Sequence, residues 1–178
     1  YKGRQDVKAS YHRLAWCALL DNNQQRYLLQ MSRVERAGTE ASGRDKDAMR
    51  AAQLGFVPNT RLIKARLLFD GGYFSEALDI LNALDPASLI QVYEFLELDY
   101  RKGRVYHGMK DWSKALFYYN AVYHRGIEEG YYFACNAALQ MGLIFEAQGQ
   151  LEEAAIYFER CLDARAEVYQ NSLHMAAK

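Results

Sequence analysis

Small residues recur at a fixed interval along this chain, and that recurrence constrains the fold more than any other feature. Ala77, Ala115 and Ala154 are spaced by 38 and 39 residues. Twelve residues before each stands another small residue: Ala65, Gly103 and Gly142. Bulky apolar residues keep the same register: Leu68, Tyr106 and Phe145 nine before, Phe74, Trp112 and Leu151 three before, and Leu81, Tyr119 and Phe158 four after. Self-similarity at such a period marks a repeat architecture. Its physical content is a pair of antiparallel helices. Two helices approach closely only where side chains are small, and the bulky residues one turn away pack around the crossing through i, i+3 and i, i+4 neighbours.

Between the two halves of each copy lies a turn: Asp70-Gly71-Gly72, Met109-Lys110-Asp111 and Gln148-Gly149-Gln150. Glycine suits the left-handed residue that ends a helix, and Asp111 suits the cap of the next. The spacing predicts helix pairs near 59–70 with 73–84, 88–108 with 112–125, and 131–147 with 151–169. Asp85-Pro86 predicts a helix start, with aspartate as cap and proline in the first position.

The pattern of glycine, an aromatic three residues on, then alanine and an aromatic four further resembles the tetratricopeptide repeat. Gly103–Tyr106–Ala115–Tyr119 and Gly142–Phe145–Ala154–Phe158 follow it, and Ala65–Leu68–Ala77–Leu81 follows it with aliphatics in place of aromatics. The resemblance covers roughly residues 58–170. It departs from the family where Arg61, Asp99 and Ala138 replace the usual early tryptophan, and in a pitch longer than the family's repeat of about 34 residues. The chain as a whole also resembles the C-terminal tetratricopeptide portion of larger uncharacterised bacterial proteins, a likeness that brings no activity with it. The fold implied is all-α, a right-handed α-solenoid in one continuous domain. Its helix pairs would occupy about 58–86, 87–127 and 129–170, followed by the start of a terminal helix within 58–178.

Residues 1–57 are less regular. Segments 5–20 and 23–36 predict a degenerate fourth pair, with Leu14, Ala15 and Ala18 facing Tyr27, Leu28 and Met31 across Asp21-Asn22-Asn23. A loop at 37–43 and a short helix near 44–54 complete it, before Leu54-Gly55-Phe56-Val57-Pro58 leads into the first clear repeat.

Composition supports long helices. Prolines number two in 178 residues, and apolar residues make up 51 %. No apolar run reaches the ~18–20 residues of a membrane span. The net charge is zero, which argues against nucleic acid as a partner. That zero hides an imbalance: residues 1–57 carry ten Lys and Arg against six Asp and Glu, and residues 58–178 carry twelve against sixteen. Solvated helix faces explain such a difference. Tyr1-Lys2-Gly3-Arg4 is neither an initiator start nor a signal peptide, and the chain ends in a helix-compatible stretch at Lys178. Both ends read as cuts in a longer protein, and no compartment follows.

The residues that carry chemistry form no constellation. His12, His107, His124 and His174 match no metal-binding spacing. Cys17, Cys135 and Cys161 are odd in number and lack a C-x-x-C pair, so buried thiols are expected rather than a disulfide framework or a zinc site. Cys161 stands seven residues after Ala154, where the repeat wants a small buried side chain. Glu128-Glu129 and Glu152-Glu153 are adjacent, and adjacent helical positions do not converge as an acid/base pair. Glu152-Glu153 suits a helix N-terminus instead. Phe117-Tyr118-Tyr119 and Tyr131-Tyr132-Phe133 look like stacking platforms, but the repeat register assigns them to packing. No catalytic residue, cofactor or metal site is expected.

In tetratricopeptide repeats the first helix of each pair lines a groove. The resemblance therefore implies a peptide-binding stripe of Arg66, Arg104 and Leu143, with Leu62, Phe69, Tyr100, His107, Leu139 and Glu146 beside them. Two arginines at equivalent positions suit an anionic peptide end, since a guanidinium binds a carboxylate with two parallel hydrogen bonds. Pairing with Asp70 or Glu97 is the alternative for them. Two functions stay open: a scaffold binding a protein or peptide, and an architectural module that packs on other domains of its parent or associates with itself.

Overall fold

The computed structural model describes residues 5–164 and 174–177. Among the described residues there are nine α-helices, one short 3-10 turn and no strand. The chain divides into two compact units, residues 1–63 and 64–178. In order the helices are α1 (Val7–Leu20), α2 (Gln24–Arg36), α3 (Gly43–Leu54), α4 (Thr60–Asp70), α5 (Phe74–Asn82), α6 (Val92–Gly108), α7 (Trp112–Gly126), α8 (Tyr132–Ala147) and α9 (Leu151–Asp163). None of them is long and apolar enough to cross a membrane.

One turn geometry is used four times. Asn22, Gly72, Lys110 and Gly149 take φ of 55°, 82°, 61° and 75°. At each, the N–H of the next residue reaches back six positions, counted inclusively: Asn23 to the Ala18 carbonyl, Tyr73 to Leu68, Asp111 to Tyr106 and Gln150 to Phe145, at 2.8 to 2.9 Å. These are Schellman turns, in which a left-handed residue lets the chain satisfy the last carbonyls of one helix before the next begins. Asn23 and Asp111 then cap the new helix by accepting from the N–H of Arg26 and Lys114.

This shared geometry fixes the register. The residue four after each cap is Ala77, Ala115 or Ala154 in the three clear copies, and all three are buried. In the N-terminal pair the same position holds Tyr27, and the facing positions hold Ala15 and Ala18, both fully buried. Large and small have changed sides, so the crossing is kept while the sequence pattern is lost. Tyr27 and Met31 are buried as expected, but Leu14 and Leu28 are exposed at 43 % and 53 %, turned outward by helical spacing.

The small residues are matched to their partners. A Cβ on Gly103 would stand 2.8 Å from the Tyr119 ring, and a Cβ on Gly142 would overlap the Phe158 ring. Glycine thus stands where the partner is aromatic. The corresponding residues of the first copy, Ala65 and Leu81, are both buried. Flat stacking recurs too: Tyr106 lies on Tyr118 with centroids 5.6 Å apart, and Phe145 on Tyr157 at 5.2 Å. Both pairs occupy the same two repeat positions.

The unit of residues 1–63 is held by buried charge. Asp45 of α3, fully buried, accepts from the N–H groups of Asp6 and Ala9 at the start of α1, at 2.8 and 3.2 Å. Burial pushes its carboxyl up, but these bonds and Ser42 outweigh it and hold the pKa below the usual value. Lys8 of α1, also buried, donates to the carbonyls of Val34 and Glu35 at the end of α2, at 2.6 and 3.2 Å. Each side chain meets the helix end whose exposed backbone groups carry the opposite partial charge.

In the unit of residues 64–178, α8 is buried along most of its length and packs on α6, α7 and α9. Two boundaries differ from the spacing-based expectation. Asp85-Pro86 starts only the 3-10 turn Pro86–Ser88. Helix α6 begins later, at Val92, where the Glu94 carboxylate reaches back to accept from the N–H groups of Ile90 and Gln91, at 3.0 and 3.3 Å. Helix α9 ends at Asp163, with Ala164 extended. The remainder of the expected 151–169 helix lies outside the described residues, as does most of the expected terminal helix, of which residues 174–176 are helical.

Candidate functional site

Tyr93, Glu97, Tyr100, Arg104 and His107 follow one another on α6 at steps of four, three, four and three, so they share one face. The middle and C-terminal part of this face carries the arginine that the sequence singles out. The Arg104 guanidinium lies over the Phe69 ring, 4.7 Å from its centroid, and donates to the Tyr100 hydroxyl at 3.3 Å. Phe69 is itself braced: its ring stands 5.5 Å from Phe74 across the α4–α5 turn, and a Cβ on Gly108 would press on both rings. An arginine stacked on an aromatic face and tied to a hydroxyl loses little freedom when it binds a ligand.

Tyr100 is buried at 3 % exposure, among Tyr119, Tyr132 and Phe133. Its contribution is the hydroxyl, not an open ring. His107 faces the fully buried Tyr119, with Nδ1 3.3 Å from the Tyr119 hydroxyl, and its ring is edge-on to Trp112 at 5.3 Å. Burial, and then the positive charge of Arg104, lower the His107 pKa, so the ring is neutral at pH 7. Burial raises the Tyr119 phenol well above its usual range. For Arg104, burial works against the charge, but Tyr100, Tyr119 and Asp70 outweigh it and leave its pKa raised.

Asp70 joins the two candidate arginines. Its carboxylate is 3.9 Å from Arg66 Nε, both side chains being well exposed, and it also acts on Arg104 through space. Such exposed pairs contribute little to stability, about 0–1 kcal/mol. The alternative pairing of Arg66 with Asp70 is therefore realised, but loosely. Pairing with Glu97 is not available to Arg104, because Glu97 bonds Arg101 in a nearly buried ion pair on α6.

The other expected groove residues are placed differently. Leu62, 1 % exposed, is a core residue and falls in the unit of residues 1–63. Leu139, 5 % exposed, packs with Cys135, Ala138 and Cys161. Both are buried aliphatic side chains and offer no surface to a ligand. Leu143 reaches solvent at 37 % exposure. What converges is thus Phe69, Tyr100, Arg104 and His107, with Arg66 joined through Asp70. Asp70, Trp112 and Tyr119 complete the group. Sequence reading had placed them in the turn and the helix seam, and the signal for their second role is their register next to α6.

Of the aromatic runs, Tyr131 packs on Tyr93, and Tyr132 and Phe133 pack on Tyr100. Phe117, in contrast, is 69 % exposed and does not pack inward. Cys17 is exposed rather than buried, whereas Cys135 and Cys161 are buried. Among the described residues no three His, Cys, Asp or Glu side chains gather as metal ligands would. No family model matches this chain, no curated protein is significantly similar to it, and no solved structure matches it.

Proposed function

We propose that this chain is a non-catalytic scaffold of the tetratricopeptide-repeat kind, a right-handed α-solenoid that binds a protein or peptide through the first helices of its pairs. Support for the fold comes from the four identical inter-helix turns and from the matching of glycine to aromatic partners. The observation that carries the function is Arg104. Its guanidinium is held in place on Phe69 and Tyr100, and the exposed Asp70 carboxylate, 3.9 Å from Arg66 Nε, also acts on it through space. A peptide bearing a free C-terminal carboxylate can take the place of that carboxylate. Preorganised arginine favours such binding because little side-chain ordering remains to be done.

Three chains test this reading against an array of peptides in free-acid and amidated forms. Wild type is expected to retain a subset of the free-acid peptides, and Arg66→Glu/Arg104→Glu to lose it. Asp70→Asn, which removes the internal competitor, is expected to hold the same peptides more tightly. Equal retention by wild type and the double variant, or weaker retention by Asp70→Asn, would remove the arginine site. A second reading, an architectural or self-associating module, has its own support in large apolar side chains left in solvent: Phe117, Leu151 and Ile156 are 69 %, 66 % and 49 % exposed. Retention of no peptide by any of the three chains would favour it.

A further inference from the structure

Cys135 and Cys161 are 26 residues apart in sequence, yet the fold puts their sulfurs 3.2 Å from each other. Cys135 sits in the first turns of α8 and Cys161 in the last turn of α9. Both are buried, at 1 % and 0 % exposure, in an apolar cluster with Ala138, Leu139 and Ala164. The Cys135 thiol also lies 3.3 Å from the Cys161 carbonyl oxygen, to which it donates. Packing alone would be met by any small residue at either position. Two thiols turned toward one another are a different matter, because they form a dithiol able to lose two electrons together.

We propose that Cys135 and Cys161 are an oxidisable pair that a hydroperoxide converts to an intramolecular disulfide, stapling α8 to α9. Either cysteine can donate the S–H between the two sulfurs, and the thiolate is the reactive form. In the direction in which Cys135 loses its proton first, Cys135 is the nucleophile. It attacks one oxygen of hydrogen peroxide. The O–O bond breaks, the departing hydroxide takes up a proton and leaves as water, and Cys135 becomes a sulfenic acid. The Cys161 sulfur then attacks the Cys135 sulfur. The S–O bond breaks as the S–S bond forms, and the Cys161 proton leaves with the hydroxyl as a second water. Two thiols have lost two electrons and two protons, and one peroxide has become two waters. Peroxide is small enough to enter when the end of α9 opens, and helix ends open more readily than helix centres.

The test uses the full chain carrying Cys17→Ser, so that the exposed thiol does not react. After treatment with one equivalent of hydrogen peroxide and alkylation under denaturing conditions, the intact mass is expected to fall by two hydrogens with no alkyl group added. Digestion should give a peptide pair joined through Cys135 and Cys161 that a dithiol reductant separates. Closing a loop of this length should raise the melting temperature of the oxidised chain by roughly 7–14 °C over the reduced one. Adding Cys161→Ser should abolish both the linked peptides and the shift, leaving Cys135 to accumulate oxygen. Wild-type chain treated in parallel supplies the linked-peptide readout even if that variant folds poorly. Two alkylated thiols after treatment, oxygen added to either cysteine without linkage, or an unchanged melting temperature in the linked chain would overturn the proposal.

Discussion

At the scale of single residues, charge placement decides more than charge number. His107 is the residue whose titration reads the state of the candidate site. Its pKa is lowered in the folded chain by burial and by Arg104, against about 6.5 for an unfolded histidine. Below that value the unfolded chain binds a proton the folded chain refuses, so stability falls as pH falls. The contribution is fully present above about pH 6.5 and is lost progressively toward the lower, folded pKa. Urea unfolding at pH 7.5 and pH 5.5 should therefore show wild type losing more stability on acidification than His107→Gln does. Equal losses would mean that the imidazole is not held neutral against Tyr119. The sequence placed His107 beside Arg104 on one stripe of α6, three residues on, but not against Tyr119, because that contact depends on a helix crossing and not on spacing. The same holds for Asp45 and Lys8, whose partners lie across helices more than twenty residues away.

At the scale of elements, helix positions were largely legible because volume is conserved across each crossing. Ala77, Ala115 and Ala154 announced it, and the degenerate first pair hid it because Tyr27 and Ala18 exchanged sizes. The Asp85-Pro86 start failed for a local reason: its signature is satisfied by a single 3-10 turn, while Glu94 caps the real helix. The crossing itself can be tested through opposed effects. Replacing glycine by alanine inside a helix is favourable by about 1 kcal/mol from propensity alone. At Gly103 the added methyl would stand 2.8 Å from the ring of Tyr119, which is fully buried and cannot swing outward. Overpacking of that kind costs about 1–3 kcal/mol, so Gly103→Ala is expected to destabilise despite its helix preference. Adding Tyr119→Leu recreates the Ala65 and Leu81 combination of the first copy. The double-mutant cycle should then show a favourable coupling of about 1 kcal/mol or more. Additive losses would mean that the two positions do not face each other as the repeat register requires.

At the scale of the whole molecule, zero net charge conceals two segments of opposite sign. Residues 1–57 carry a formal excess of four positive charges and residues 58–178 an excess of four negative ones. Burial does not erase the difference, because the buried charges cancel within each segment: Lys8 with Asp45 in the first, Arg101 with Glu97 in the second. Among the described residues the excess charge of each segment therefore sits on the surface. With a sequence pI near 7.1, neutral pH offers no net repulsion to keep copies apart, and opposite segments of two copies attract. That attraction reaches about 30 Å at 0.01 M salt and about 8 Å at 0.15 M. The exposed apolar side chains Phe117, Leu151 and Ile156 favour contact between copies as well, but salt does not screen burial of apolar surface. The sign of the salt effect separates the two. Static light scattering at pH 7 should give a negative second virial coefficient at low salt that rises toward zero as salt is added. A coefficient that becomes more negative with salt would assign the contact to the apolar faces. It would then support the self-associating reading, which rests on those same apolar side chains.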